Sequence, residues 1–147
     1  MDLVENQGMR VLSARNVAKQ LNSSTAPVYS GFSSIDELKR EVLNKSEVLL
    51  IAYIKTPYTD RVFLNMGVGI ALFSRDQREL YRTLFLEKNE FKDIVDGFLS
   101  TMKDRIREDH RFTKMPVEGR NSMVDKMWIF AHGLATLICV GFIDDDS

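Results

Sequence analysis

The stretch Ser13-Ala14-Arg15-Asn16-Val17-Ala18-Lys19-Gln20-Leu21-Asn22-Ser23-Ser24-Thr25-Ala26-Pro27-Val28-Tyr29-Ser30-Gly31-Phe32-Ser33-Ser34-Ile35 carries the pattern that decides the fold. Ala14, Val17, Ala18 and Leu21 fall at i, i+3, i+4 and i+7, which puts their side chains on one face of a helix of about two turns. Ser13 stands ahead of it as an N-cap, because a short hydroxyl side chain can accept from an otherwise orphaned helical N–H. Asn22 follows where a left-handed residue would end the helix. A second short helix then begins near Ser24 or Thr25 and takes Pro27 within its first turn, where a missing N–H costs least. Ser33-Ser34 caps a third helix, whose apolar residues Ile35, Leu38, Val42, Leu49, Ala52 and Tyr53 keep a 3.6 period for some twenty residues. Two short helices joined by a tight turn and followed by a longer one form a helix-turn-helix arrangement.

Upstream, Leu3, Val4, Met9 and Leu12 read as the tail of a short helix ending at Gly8. Downstream of Pro57, helical patterns cover about 58–74, 76–88, 90–110 and 118–143. Breaks are expected at Ser74-Arg75-Asp76, at Lys88-Asn89 and from Thr113 to Gly119. No stretch alternates strictly, and no hairpin turn lies between β-branched runs. The expectation is an all-α protein: a helix-turn-helix domain over 1–54, then a helical regulatory and dimerisation domain over 55–147.

The chain has 147 residues, with 44% apolar and 28% charged, which excludes intrinsic disorder and allows a sizeable core. Its single cysteine, Cys139, rules out an intramolecular disulfide and a cysteine-based zinc site. With only His110 and His132 beside it, no metal centre is expected. The most apolar stretch, Trp128 to Ile143, is too short to span a bilayer. No secretory signal precedes the first helix, so a cytoplasmic protein without a membrane association is expected.

The formal net charge is −1, from 20 basic and 21 acidic residues. Its distribution is uneven. From Asn6 to Ile35 there are three cations, Arg10, Arg15 and Lys19, and no Asp or Glu; the remainder sums to −4. An acid-free window on the motif gives a local footprint for phosphate, and two copies in a dimer would double it. The start of a second motif helix faces base edges in a major groove, where Ser and Thr serve phosphate or base.

The segment from Leu12 to Leu38 resembles the DNA-binding domain of TetR/AcrR-type transcriptional regulators. The likeness lies in Ser13-Ala14-Arg15 with Val17-Ala18 close behind, the Ser24-Thr25 turn, Tyr29 with Phe32, and Glu37-Leu38. Gly67 to Phe73, Leu80 to Phe85 and Trp128 to Ala135, with its Trp…His-Gly-Leu-Ala run, are similar to stretches of that family's regulatory domain. The resemblance implies phosphate contacts from Ser13 and Arg15, and a groove-facing helix start at Ser24, Thr25, Ala26 and Pro27. It implies a phosphate contact from the Tyr29 hydroxyl and an approach to the backbone by Lys39. Ile35 stands where the family often has lysine, and Ser30-Gly31 where it has a basic-aromatic pair. The family's first helix is longer, and its last dimerisation helix has no counterpart after Asp146. Both ends are therefore expected to lack part of the family's architecture.

The implied partners are double-stranded operator DNA, a small-molecule effector and a second copy of the chain. Phe63, Met66, Phe98, Met102, Met127, Trp128 and His132 are the expected effector pocket, an apolar wall with one polar anchor. Taken alone, His132 reads first as a hydrogen-bonded core histidine and second as that polar anchor. Met127 to Ile143 is apolar nearly all round, so one face is free for self-association, with Gly133 and Gly141 permitting close approach.

Gly67-Val68-Gly69 lacks both the third glycine and the preceding strand of a dinucleotide loop, and reads as close helix packing. Glu108-Asp109 and Asp144-Asp145-Asp146 read as solvated faces and a helix end, and Cys139 as a buried apolar residue. No enzyme and no cofactor is expected. The alternative is an all-α ligand-binding or protein-interaction module that no longer meets DNA.

Overall fold

The computed structural model describes residues 1–88 and 92–143. The break expected at Asn89, the first two residues of the 90–110 pattern and Asp144-Asp145-Asp146 lie outside the described residues. Among the described residues there are eight α-helices and no strand. They are α1 (Asp2–Gln7), α2 (Ala14–Gln20), α3 (Ala26–Gly31), α4 (Ile35–Lys55), α5 (Val62–Asp76), α6 (Arg78–Tyr81), α7 (Lys92–Arg105) and α8 (Val117–Cys139). A π-helical turn, Arg82–Leu86, continues α6, and short 3-10 turns occupy Met9–Val11, Ile106–Glu108 and His110–Phe112.

The caps follow the sequence closely. Ser13 Oγ accepts from the Asn16 N–H at 3.2 Å, and Asn22 closes α2 with φ 48°. Pro27 sits in the first turn of α3. Ser34 Oγ accepts from the Glu37 N–H at 3.1 Å, while the Glu37 carboxylate accepts from the Ser33 N–H at 2.6 Å and from the Ser33 hydroxyl. The Ser33 bonds hold the Glu37 carboxyl below its ordinary pKa. Gly8 ends α1 with φ 77° and ψ 174°, a region essentially closed to residues with a side chain.

Three boundaries move. The fifth helix starts at Val62 rather than 58, because the preceding loop is tied up by side chains. Asn65 Oδ1 accepts from the Thr59 N–H and hydroxyl, both at 2.8 Å, and Asn65 Nδ2 donates to the Thr59 carbonyl at 2.9 Å. That helix also runs through Ser74-Arg75-Asp76 and breaks only at Gln77. The last helix stops at Cys139, not 143. Gly141, at φ 72°, donates to the Ile138 carbonyl, and Phe142 donates to Leu137 at 2.9 Å. That is a glycine-terminated helix end. Gly141 therefore ends the helix rather than admitting a neighbour.

Packing centres on α5, which lies against α4 on one side and α8 on the other. The α4–α5 crossing is close because Gly69 has no side chain: a Cβ there would sit 2.6 Å from the Tyr53 carbonyl. Leu50, Ile54, Met66, Ile70, Phe73 and Leu80 are fully buried around this crossing. The 21 residues of α4 span about 31 Å. That helix buries Leu38, Val42, Leu43, Leu50 and Ile54 and packs on α5, α7 and the Arg82–Leu86 turn. One continuous apolar core thus runs from Val4 and Val28 to Cys139. The N-terminal segment also meets the larger part directly, through α1 against α6. No described helix is long and apolar enough to cross a membrane.

Candidate functional site

Two surfaces carry the residues singled out by sequence. The first is α2, the turn 21–25 and α3. Val28 is buried and Phe32 packs on the core, which anchors α3 by one side and turns the rest outward. Arg15, Ser24, Thr25, Ala26, Pro27 and Tyr29 are all exposed, Tyr29 to 62%. Thr25 precedes α3 with φ −77° and ψ −12°, outside the extended geometry of a capping residue, and its side chain makes no bond to the helix. Its hydroxyl therefore faces solvent. Arg15 and Lys19 lie four residues apart on α2 and share a face.

The other predicted contacts are already engaged. Ser13 is half-buried and spends its oxygen on the α2 cap. Lys39 Nζ lies 3.2 Å from Asp36 one turn back along α4. Arg10 Nε stands 3.8 Å from the Glu87 carboxylate. Of the three cations in the acid-free window, Arg15 and Lys19 are the ones on the motif helix.

The second surface is α8 with its neighbours, and here the seven predicted pocket residues separate. Phe63 and Met127 line an apolar trough of about 600 Å³ between α5 and α8. Leu64, Gly67, Val68, Ala71 and Leu72 form its α5 wall, with Phe130, Ala131 and Leu134 opposite on α8. Arg61, Arg111 and Phe112 close one end. Trp128 and His132 point to the other side of α8, where they join Tyr81, Phe85 and Phe98 in an aromatic cluster. Phe85 and Trp128 have centroids 4.9 Å apart, Trp128 and His132 5.0 Å, and Phe98 and Trp128 5.5 Å. Met66 and Met102 belong to neither surface and are fully buried in the core.

His132 has a partner that sequence reasoning did not assign to the site. Its Nδ1 is 2.7 Å from the Tyr81 hydroxyl. Burial pushes the Tyr81 phenol far above its ordinary range and lowers the His132 imidazole. The imidazole tautomer sets which of the two groups donates in this bond. The contact links α8 to the end of α6, and α6 is the element against which α1 packs.

Asp109 corrects an expectation. It is not on a solvated face but 2% exposed, and it organises the Arg111 end of the trough. One carboxylate oxygen accepts from the Phe63 N–H at 3.0 Å, capping the start of α5 from 46 residues away. The other accepts from Arg111 Nε at 2.8 Å, and Arg111 Nη2 completes the pair. The Arg111 bonds, helped by the backbone N–H groups, hold the Asp109 carboxyl well below the carboxylate range. An Asp two residues before an Arg was visible in the sequence; the distant α5 N-terminus was not. Cys139 is buried as expected, and burial pushes its thiol up.

No protein-family model matches the chain, and no curated protein matches it.

Proposed function

We propose that the chain is a DNA-binding transcriptional regulator, a ligand-responsive repressor acting as a homodimer. The observation that carries the reading is the acid-free α2–turn–α3 face, with Arg15, Thr25 and Tyr29 exposed together and Lys19 beside them. The resemblance of Leu12–Leu38 to TetR/AcrR-type regulators supports it. In this reading the first turn of α3 enters the major groove, the Tyr29 hydroxyl and Arg15 hold phosphates, and the two motifs of a dimer meet successive grooves about 34–36 Å apart. An effector that loosens Tyr81 from His132 would act on α6 and, through α6, on α1. By linkage, DNA binding then weakens effector binding by the same factor.

The test is binding of purified protein to the promoter DNA flanking its own gene, followed across a salt series. The reading expects salt-sensitive binding that a Thr25→Ala, Tyr29→Phe double variant weakens about tenfold or more without unfolding, since both side chains are exposed. Equal affinity for the variant removes the contact assignment, and absence of salt-sensitive binding removes the function.

The second reading, an all-α ligand-binding or protein-interaction module, is favoured by the engagement of Lys39 with Asp36 and the nearness of Arg10 to Glu87. These leave a small electrostatic footprint for each motif. A promoter assay and solution sizing on one sample separate the two readings.

A further inference from the structure

The trough between α5 and α8 differs in chemistry from one end to the other. Leu64, Val68 and Leu72 face Phe130 and Leu134 across it, and among the described residues no hydroxyl, amide or acidic side chain lines it. The polar side chains that do line it, Arg61 and Arg111, both stand at the end closed by Phe112. From Val62 to Leu72 the α5 wall runs about 15 Å. The hollow of about 600 Å³ falls within the ~300–1,000 Å³ of small-molecule sites.

The two guanidiniums are held differently. Asp109 fixes Arg111 through Nε and Nη2, and its oxygens are filled by those bonds and by the Phe63 and Arg111 backbone N–H groups. Arg111 Nη1 takes no part in that pairing. Arg61 Nε stands 3.9 Å from Asp60, and both side chains are mostly in water, so this pair is weak. Asp109 raises the Arg111 pKa most and Asp60 least, which makes Asp60 the exposed acid that an incoming anion must outcompete. Helix α5 begins at Val62, beside both cations, and adds the positive end of its dipole.

We propose that the trough binds a free medium-chain carboxylate, with its head between Arg61 and Arg111 and its tail lying along α5 and α8 toward Leu72 and Leu134. Charge selects the head. A carboxylate fits the planar fork of a guanidinium, whereas a cation would meet two like charges. Shape and chemistry select the tail, because beyond the two arginines the walls offer an unbranched chain apolar contact and no polar side chain to satisfy. The proposal deepens the ligand-responsive part of the preceding reading by naming the ligand class, and it rests on that reading for what binding would do to DNA.

The test is calorimetric titration of the full chain with dodecanoate below its micellar concentration. Dodecyltrimethylammonium serves as a cation on the same chain, and acetate as a head without a tail. Dodecanoate is expected to bind in the micromolar range, the cation about tenfold or more weakly, and acetate not measurably. Arg61→Gln should weaken dodecanoate about fivefold or more, and Asp60→Asn should tighten it about twofold or more. Both side chains are mostly in water, so circular dichroism should show wild-type helicity in each variant. Ala71→Trp, which fills the hollow, should weaken binding at least about tenfold. Absence of dodecanoate binding overturns the proposal, as does equal affinity for the cation. Affinity that Arg61→Gln and Asp60→Asn both leave unchanged overturns it too. A chain that refuses dodecanoate and sediments as a dimer gives the trough to a second copy. The titration needs no DNA, so the two readings fail separately. Dodecanoate binding by a chain that ignores promoter DNA removes only the regulator, and salt-sensitive DNA binding without dodecanoate binding removes only this ligand.

Discussion

Asp109 shows how one side chain can set the local architecture of two elements. Its buried carboxylate accepts from the Phe63 N–H, where α5 has an unfilled donor, and from the Arg111 guanidinium. Asp109→Asn removes the charge from both bonds and should cost about 2–3 kcal/mol, read as a lower urea midpoint. The pH dependence has a definite sign. The folded-state pKa lies below the unfolded value of ~3.9, so the stabilisation is complete above that range and is lost as pH falls through it toward the folded value. The gap between wild type and the Asn variant should therefore be wide at pH 7, start to narrow below about pH 4 and close only as pH falls to the folded-state value. A gap that stays constant would mean that the carboxylate charge is not what holds the α5 start.

At the scale of elements, the caps and periods were legible and the helix faces were not. Ser13, Asn22, Pro27 and Ser34 act through local backbone geometry, and each sits where its chemistry indicates. The start of α5 escaped notice because Asn65 and Thr59 hold an irregular loop under an apolar pattern that continues through it. The split of the pocket residues had another cause. α8 is apolar on almost every face, so its sequence cannot say that Trp128 and Met127, adjacent in the chain, look into different surroundings. Two glycines make the same point in a measurable form. Gly69→Ala pushes a Cβ against the Tyr53 and Ile54 backbone and should destabilise by about 2–3 kcal/mol. Gly133→Ala meets nothing and should add up to about 1 kcal/mol to the monomer through helix propensity. Thermal unfolding of the two variants at low protein concentration reads both; similar shifts would contradict the packing described for α4 and α5.

At the scale of the molecule, the near-zero net charge hides an uneven distribution along the chain, in which Asn6 to Ile35 holds no acid. If the α2–turn–α3 face meets DNA as a dimer, Arg15 and Lys19 give four phosphate-seeking cations. The logarithm of affinity against the logarithm of salt should then fall with a slope of about −4. Arg15→Ala removes two of the four and should flatten the slope by about 2, while a slope unchanged by the variant would place the contacts elsewhere. The total charge could not have suggested this, and the distribution along the chain did. Conversely, no reading of the chain placed α1 against α6, because that contact joins residues more than seventy positions apart through a shared core.

Gly8 stands at that junction. Its backbone conformation is one that other residues reach only under strain, and a Cβ there would lie 2.9 Å from the Glu79 carboxylate on α6. The Glu79 side chain can swing away, but the backbone cannot relax without turning α1 relative to α6. A glycine five residues ahead of the motif's first cap is thus a hinge pin shared by both halves. In a genetic screen its substitutions would be expected to group with lesions of α6 and its neighbours, although the residue sits at the start of the chain.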